Sequence, residues 1–133
     1  MTRRAVSTSA APSAVGPYSQ GIATGDLVFC SGQIGLDPQT GELAGGGIEG
    51  QTERALKNLE AVLDAAGCTM ADVVKTTCFL ADIGDFATFN AIYARYFPDP
   101  PPARSTFAVA ASRKGSGSSL RTCRTGPALS PPR

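Results

Sequence analysis

One amphipathic repeat in the middle of the chain constrains the fold more than any other feature. Between Ile48 and Ala66, the residues Thr52, Ala55, Leu56, Leu59, Val62, Leu63 and Ala66 recur every three or four positions, with charges on the other face. That period predicts a helix with an apolar stripe that another layer must cover. Gly67 stands where a left-handed residue would stop the helix. Upstream, Leu27-Val28-Phe29-Cys30 is apolar at successive positions, which suits a strand covered on both faces. Gly25-Asp26 separates it from a shorter extended segment, so Ser19–Ala23 and Leu27–Ser31 read as a β-hairpin. Residues 35–47 hold five glycines and one proline and read as a loop. Residues 1–16 are small and polar and carry no strand or helix signal.

Downstream, Asp72–Leu80 is dense in β-branched and aromatic residues and reads as a strand. Asp85 is placed to cap a second helix, Phe86–Phe97, with Phe86, Phe89, Tyr93 and Phe97 on one stripe. Pro98 and the run Pro100–Pro102 end it, and Ser105–Ala111 is a further strand. The order predicts an α+β two-layer sandwich: a mixed sheet with two helices on one face. The other face must be solvated or buried against copies of the chain. The two-sided apolar run at 27–30 favours self-association.

At 133 residues the chain suits one domain, and 42% apolar residues can fill a core. The net charge of +1 gives no bulk attraction for nucleic acid, so no nucleic-acid partner is expected. Histidine is absent, which removes Ser-His and Cys-His nucleophilic systems and histidine metal ligands together. Cys30, Cys68, Cys78 and Cys123 form no C-x-x-C pair, and a zinc site would need all four, so no metal is expected. Cys30 and Cys78 lie in strand-like runs and read as small core residues. No apolar stretch follows Arg3 and Arg4 as a secretory leader would require. No run approaches a membrane span, and a reducing cytoplasm with free thiols is the expected setting.

Composition changes at Ser112. Residues 112–133 carry five basic residues and no acid, whereas residues 1–111 carry seven basic and eleven acidic ones, a net of −4. By composition the tail is a loosely attached appendage to a 1–111 domain.

Few residues invite a chemical role. Arg104 follows a proline run at a strand mouth and could present its fork to a carboxylate, or simply cover a sheet edge. Tyr18, after the Gly16-Pro17 turn, either offers a phenol to a cleft or packs at a subunit edge. Ser31-Gly32-Gln33 could supply a hydroxyl and a close backbone approach, or form an ordinary strand end. Asn90 interrupts the stripe of the second helix, either to satisfy backbone or to look into a pocket. Glu49, Glu53 and Glu60 read as a solvated helix face.

Taken in order, the motifs Gly16-Pro17-Tyr18-Ser19-Gln20-Gly21, Phe29-Cys30-Ser31-Gly32-Gln33-Ile34, Asp37-Pro38-Gln39-Thr40-Gly41-Glu42, Val73-Val74-Lys75-Thr76-Thr77, Asn90 to Tyr93 and Pro102-Ala103-Arg104-Ser105 resemble the RidA-type reactive-intermediate deaminases, the YjgF family. The match runs from about residue 8 to 111. The resemblance implies a chorismate-mutase-like subunit, a homotrimer with clefts between subunits, and no cofactor. It implies hydrolysis of 2-imino acids such as 2-iminopropanoate and 2-iminobutanoate to 2-keto acids and ammonia. It gives Arg104 the substrate carboxylate and lines the cleft with Tyr18, Ser31, Gly32 and Asn90. Phe107 falls where a backbone carbonyl is used.

The resemblance breaks at the C-terminus. Where the family has a Leu-Pro-Lys-Gly turn and a last strand whose first Glu positions water, this chain has Ser112-Arg113-Lys114-Gly115, and the Glu position falls on Ser119. One explanation is a one-base slip in reading frame, which converts one turn into the other and yields an acid-free tail; the other is a divergent tail in which Ser118, Leu120 and Thr122 alternate as a poor strand. The last strand is thus in doubt from sequence. If present, it should pair between the first hairpin and Ser105–Ala111.

Overall fold

The computed structural model describes residues 2–110 and 117–125, the last eight of them as backbone. Six strands and two helices follow one another as β1 (Arg3–Val6), β2 (Gly21–Thr24), β3 (Leu27–Ile34), α1 (Gly47–Ala65), β4 (Val73–Leu80), α2 (Phe86–Tyr93), β5 (Ala103–Ala108) and β6 (Ser118–Thr125). They form one mixed sheet in the order β1-β2-β3-β6-β4-β5, with β4 and β5 parallel and every other pair antiparallel. The expected α+β sandwich is what forms.

Helix α1 behaves as its period predicts. Ala55, Leu56, Leu59, Val62 and Leu63 are fully buried against Val28 and Cys30 of β3, Val73, Cys78 and Leu80 of β4, and Phe89 of α2 in one core. Burial of each such aliphatic side chain contributes about 1.5–3 kcal/mol. The helix stops as foreseen at Gly67, which has φ +79°. There the Cys68 amide donates to the Leu63 carbonyl at 2.8 Å and the Gly67 amide to Asp64 at 2.9 Å, a Schellman closure. A carboxamide also sits inside the stripe. Asn58 is fully buried and donates to the carbonyls of Ile34 (3.1 Å) and Leu36 (2.9 Å) while accepting from Arg54 Nε at 2.9 Å, which ties the end of β3 to the helix. The approach is close enough that a Cβ on Gly35 would lie 2.5 Å from the Gln51 carbonyl oxygen.

Four expectations need correction. First, residues 3–6 form the edge strand β1 on β2, although their side chains carry no strand pattern. Backbone pairing to an open edge needs no apolar alternation. Second, α2 ends at Tyr93, four residues short of Phe97. Residues 94–96 continue as tightened turns, with Arg95 donating to Ile92 and Tyr96 to Tyr93, so Phe97 reaches the core from outside the helix. Asp85 holds the N-cap position without a side-chain bond, and Asp82 instead accepts from Gly84. Third, Glu53 is no free surface charge: it pairs with Arg95 and accepts from the Tyr96 hydroxyl at 2.7 Å.

The fourth concerns the last strand. The backbone of β6 pairs with β3 from Leu27↔Thr125 to Ile34↔Ser119 and with β4 from Val73↔Arg124 to Leu80↔Ser118. Its neighbours are therefore β3 and β4, not β5. Strands β3 and β4 run in the same direction one strand apart, and an antiparallel sixth strand fills the gap and satisfies both inner edges. The Ser112–Gly115 turn, on which the frame-slip reading rests, lies outside the described residues, as does Ala111.

One sheet face carries both helices. On the other, Phe29, Val74 and Phe107 are 46%, 45% and 54% exposed.

Candidate functional site

Arg104 is the second residue of β5, reached through Pro100–Pro102. Its register partner is Thr76, a fully buried residue on the helix-covered face, so Arg104 enters the same layer. There the guanidinium carbon lies 4.8 Å from the centroid of the Tyr93 ring and 5.4 Å from that of Phe86. Among the described residues Arg104 makes no ion pair and no hydrogen bond. The groups beneath it are neutral at ordinary pH. Burial pushes the Cys78 thiol up to about 11 and also raises Tyr93, whose hydroxyl shares a 2.6 Å hydrogen bond with Thr76. The result is a half-buried cation whose donors are unfilled.

Asn90 stands one helical turn before Tyr93 on α2 and faces the same cleft. Among the described residues its Oδ1 is buried without a hydrogen-bond partner. Together with Arg104, Phe97, Asp99 and Pro102, Asn90 and Tyr93 line a cleft of about 600 Å³. An orphan acceptor beside an unpaired cation is costly unless a ligand fills both.

Tyr18, Ser31 and Gly32 lie elsewhere. Tyr18 and Gly32 line a second cleft of about 400 Å³ over the 35–41 loop. Tyr18 is 43% exposed, and its hydroxyl accepts from the Val15 amide at 3.4 Å. Ser31 Oγ donates to the Ser19 carbonyl at 2.5 Å. Gln20 pins the segment 8–12 beside it: its Nε2 donates to the carbonyls of Pro12 (2.8 Å) and Thr8 (3.0 Å), and its Oε1 accepts from the Thr8 amide. Phe107 pairs with Phe79 across β5 and β4 and stacks on it at 6.4 Å, on the helix-free face. Its side chain is not in the Arg104 cleft. Three interstrand steps, at about 4.8 Å each, separate β3 from β5. One protomer therefore does not gather all the expected residues around one small molecule.

Sequence reading missed Tyr93 and Gln20 as parts of these sites. Tyr93 was legible only as core stripe, although its i, i+3 spacing from Asn90 places both on one helix face. Among the described residues no cluster of His, Cys, Asp and Glu could hold a metal, and no helix is long and apolar enough to cross a membrane.

A family model described as Endoribonuclease L-PSP matches residues 8–116. A human 2-iminobutanoate/2-iminopropanoate deaminase is 50% identical over 116 residues, covering 87% of this chain and 85% of the relative. The Arabidopsis thaliana Reactive Intermediate Deaminase A, a chloroplastic protein, is 54% identical over 109 residues, 82% of this chain and 58% of the relative. Among solved structures, RidA from an Antarctic Psychrobacter superposes with TM-score 0.89 at 38% identity, covering 92% of this chain and 99% of that one. Escherichia coli TdcF with bound serine gives TM-score 0.88 at 36% identity, with 92% and 98% covered.

Proposed function

The chain belongs to the Endoribonuclease L-PSP family, and on that premise we propose that it is an imine deaminase whose Arg104 grips the substrate carboxylate. It hydrolyses reactive 2-imino acids to 2-keto acids and ammonia. The observation that carries the Arg104 role is the unpaired guanidinium on its aromatic platform beside the orphan Asn90 oxygen. A guanidinium fork accepts a carboxylate in two parallel hydrogen bonds. With the carboxylate fixed there, the adjacent protonated imine can donate its N–H to Asn90 Oδ1. That contact favours the iminium form, whose carbon water attacks. A proton passes from the added water oxygen to the nitrogen of the resulting carbinolamine, its C–N bond breaks to release ammonia, and the hydroxyl proton is lost to water as the keto-acid carbonyl forms. Orientation and charge placement supply most of the acceleration. The serine bound to TdcF carries the same carboxylate and α-nitrogen as such a substrate.

Tyr18, Ser31 and Gly32 complete this site from a second protomer. The helix-free face, with exposed Phe29 and Phe107, is the surface that copies of the chain cover, and a homotrimer closes it. The buried Cys78 thiol suits a reducing cytoplasm. Among the described residues Arg104 is the one basic residue lining its cleft, which fits a single small anion rather than a phosphate track.

The test is ammonia release from 2-iminopropanoate generated in place by an amino-acid oxidase. Faster release than the uncatalysed rate supports the reading, and no acceleration refutes it. A second reading, a small-ligand-binding module of impaired catalysis, is favoured by Ser119. This residue holds a β6 position opposite Ile34 and Phe79, where the resemblance places a water-positioning Glu. Binding of pyruvate without turnover would select it. A one-base change in the gene that restores the family's strand would explain the departure, and a gene offering none would end the frame-slip account.

A further inference from the structure

We propose that Tyr93 is a positioning residue for Arg104, anchored through Thr76, so that the carboxylate-binding fork is held in plane before substrate arrives. The proposal rests on Arg104 being the carboxylate-binding group, but its geometry can be tested without turnover. Three contacts close a ring. Arg104 and Thr76 are register partners on adjacent strands. The Tyr93 hydroxyl and Thr76 Oγ1 lie 2.6 Å apart in a buried hydrogen bond. The Tyr93 ring returns to within 4.8 Å of the Arg104 guanidinium carbon. Tyr93 is itself wedged between Phe89 and Phe97, with ring centroids at 5.7 and 4.5 Å, so its plane cannot turn freely.

An arginine side chain has many rotamers, and ordering it on binding weakens the complex. A fixed aromatic face removes part of that cost in the free protein. It attracts the cation through the ring quadrupole while leaving the in-plane N–H donors open. No carboxylate does this work here, since Arg104 has no ion pair among the described residues. An acid at that place would compete with the substrate. The Tyr93 phenol is kept neutral by its burial, so the anchor persists through neutral pH.

The experiment compares Tyr93→Met, which fills the volume without a π face, with Tyr93→Phe, which keeps the ring. The direct readout is the Arg104 Nε–H proton in a 1H–15N spectrum. It should be ring-shielded in the wild type and in Tyr93→Phe, and should move downfield in Tyr93→Met. In the imine assay, Tyr93→Met should raise KM about tenfold with kcat little changed, and Tyr93→Phe should recover most of the loss. On an Arg104→Lys background the Met substitution should change KM by less than about twofold. An Arg104 resonance identical in wild type and Tyr93→Met, or an undiminished KM effect on the Lys background, overturns the proposal. Should Tyr93→Met not fold, Tyr93→Phe and Thr76→Val decide. Each keeps the ring, and with it the upfield shift, but loses the hydroxyl–Thr76 bond, so the Arg104 line should broaden without moving; a line width equal to wild type in both overturns the proposal. If the wild type turns over no imine, the deaminase reading fails while the spectra still decide the positioning role.

Discussion

Replacing Arg104 with alanine separates binding from folding. In the free protein the side chain makes no ion pair or hydrogen bond among the described residues, and it rests on the Tyr93 and Phe86 rings. Losing those ring contacts should cost about 1–2 kcal/mol of stability at most. In the proposed complex the same side chain would supply two charge-assisted hydrogen bonds, each worth about 1.5–3 kcal/mol. Together they predict a fall in kcat/KM of about 10²–10⁴-fold. The assay follows decay of oxidase-generated 2-iminopropanoate, with urea unfolding run in parallel. Arg104→Lys, which keeps charge but not the fork, should fall between wild type and alanine. A kcat/KM for Arg104→Ala within about threefold of wild type would refute the assignment, because no other cation lines the cleft among the described residues.

Other consequences follow from the packing. Asn58→Ala orphans the Ile34 and Leu36 carbonyls and should lower unfolding free energy by about 2–4 kcal/mol in urea melts; a loss below about 0.5 kcal/mol would mean that water replaces the amide. Phe29→Glu with Phe107→Glu puts charge on the helix-free face and should shift sedimentation toward monomer and reduce imine turnover. A double variant that sediments like wild type would show that copies do not meet there. Burial lifts the Cys78 thiol from 9.0 to about 11, so the unfolded chain gives up this proton first. Stability is then intact below pH 9 and declines as pH climbs toward 11, by about 2–3 kcal/mol in all. Cys78→Ala should flatten that decline in urea midpoint, and an unchanged slope would assign it to other groups.

Much of the fold could be read locally. The α1 stripe, its Gly67 stop and the turn at Gly25, with φ +54°, are set by side-chain period and backbone sterics within a few residues. The two-layer α+β arrangement follows, since an apolar stripe and an apolar strand must cover one another. The role given to Arg104 came from the resemblance; its spacing alone, a proline run before a strand, left a carboxylate fork and a covered sheet edge both open. What could not be read depended on partners distant in sequence. Strands β1 and β6 are polar or atypical in their own residues, and they form because β2, β3 and β4 offer unpaired amides and carbonyls that only a neighbouring backbone can satisfy. Asn58 looks misplaced in its stripe until two carbonyls from the end of β3 arrive above it. Tyr93 looks like ordinary core until β5 brings a guanidinium over its ring. The sequence alone therefore determined which segments are helical or apolar, and resemblance alone singled out the Arg104 cation. The tertiary structure alone decided which edges are filled and what that cation rests on, because hydrogen-bond and ring contacts between remote strands leave no periodic trace in either one.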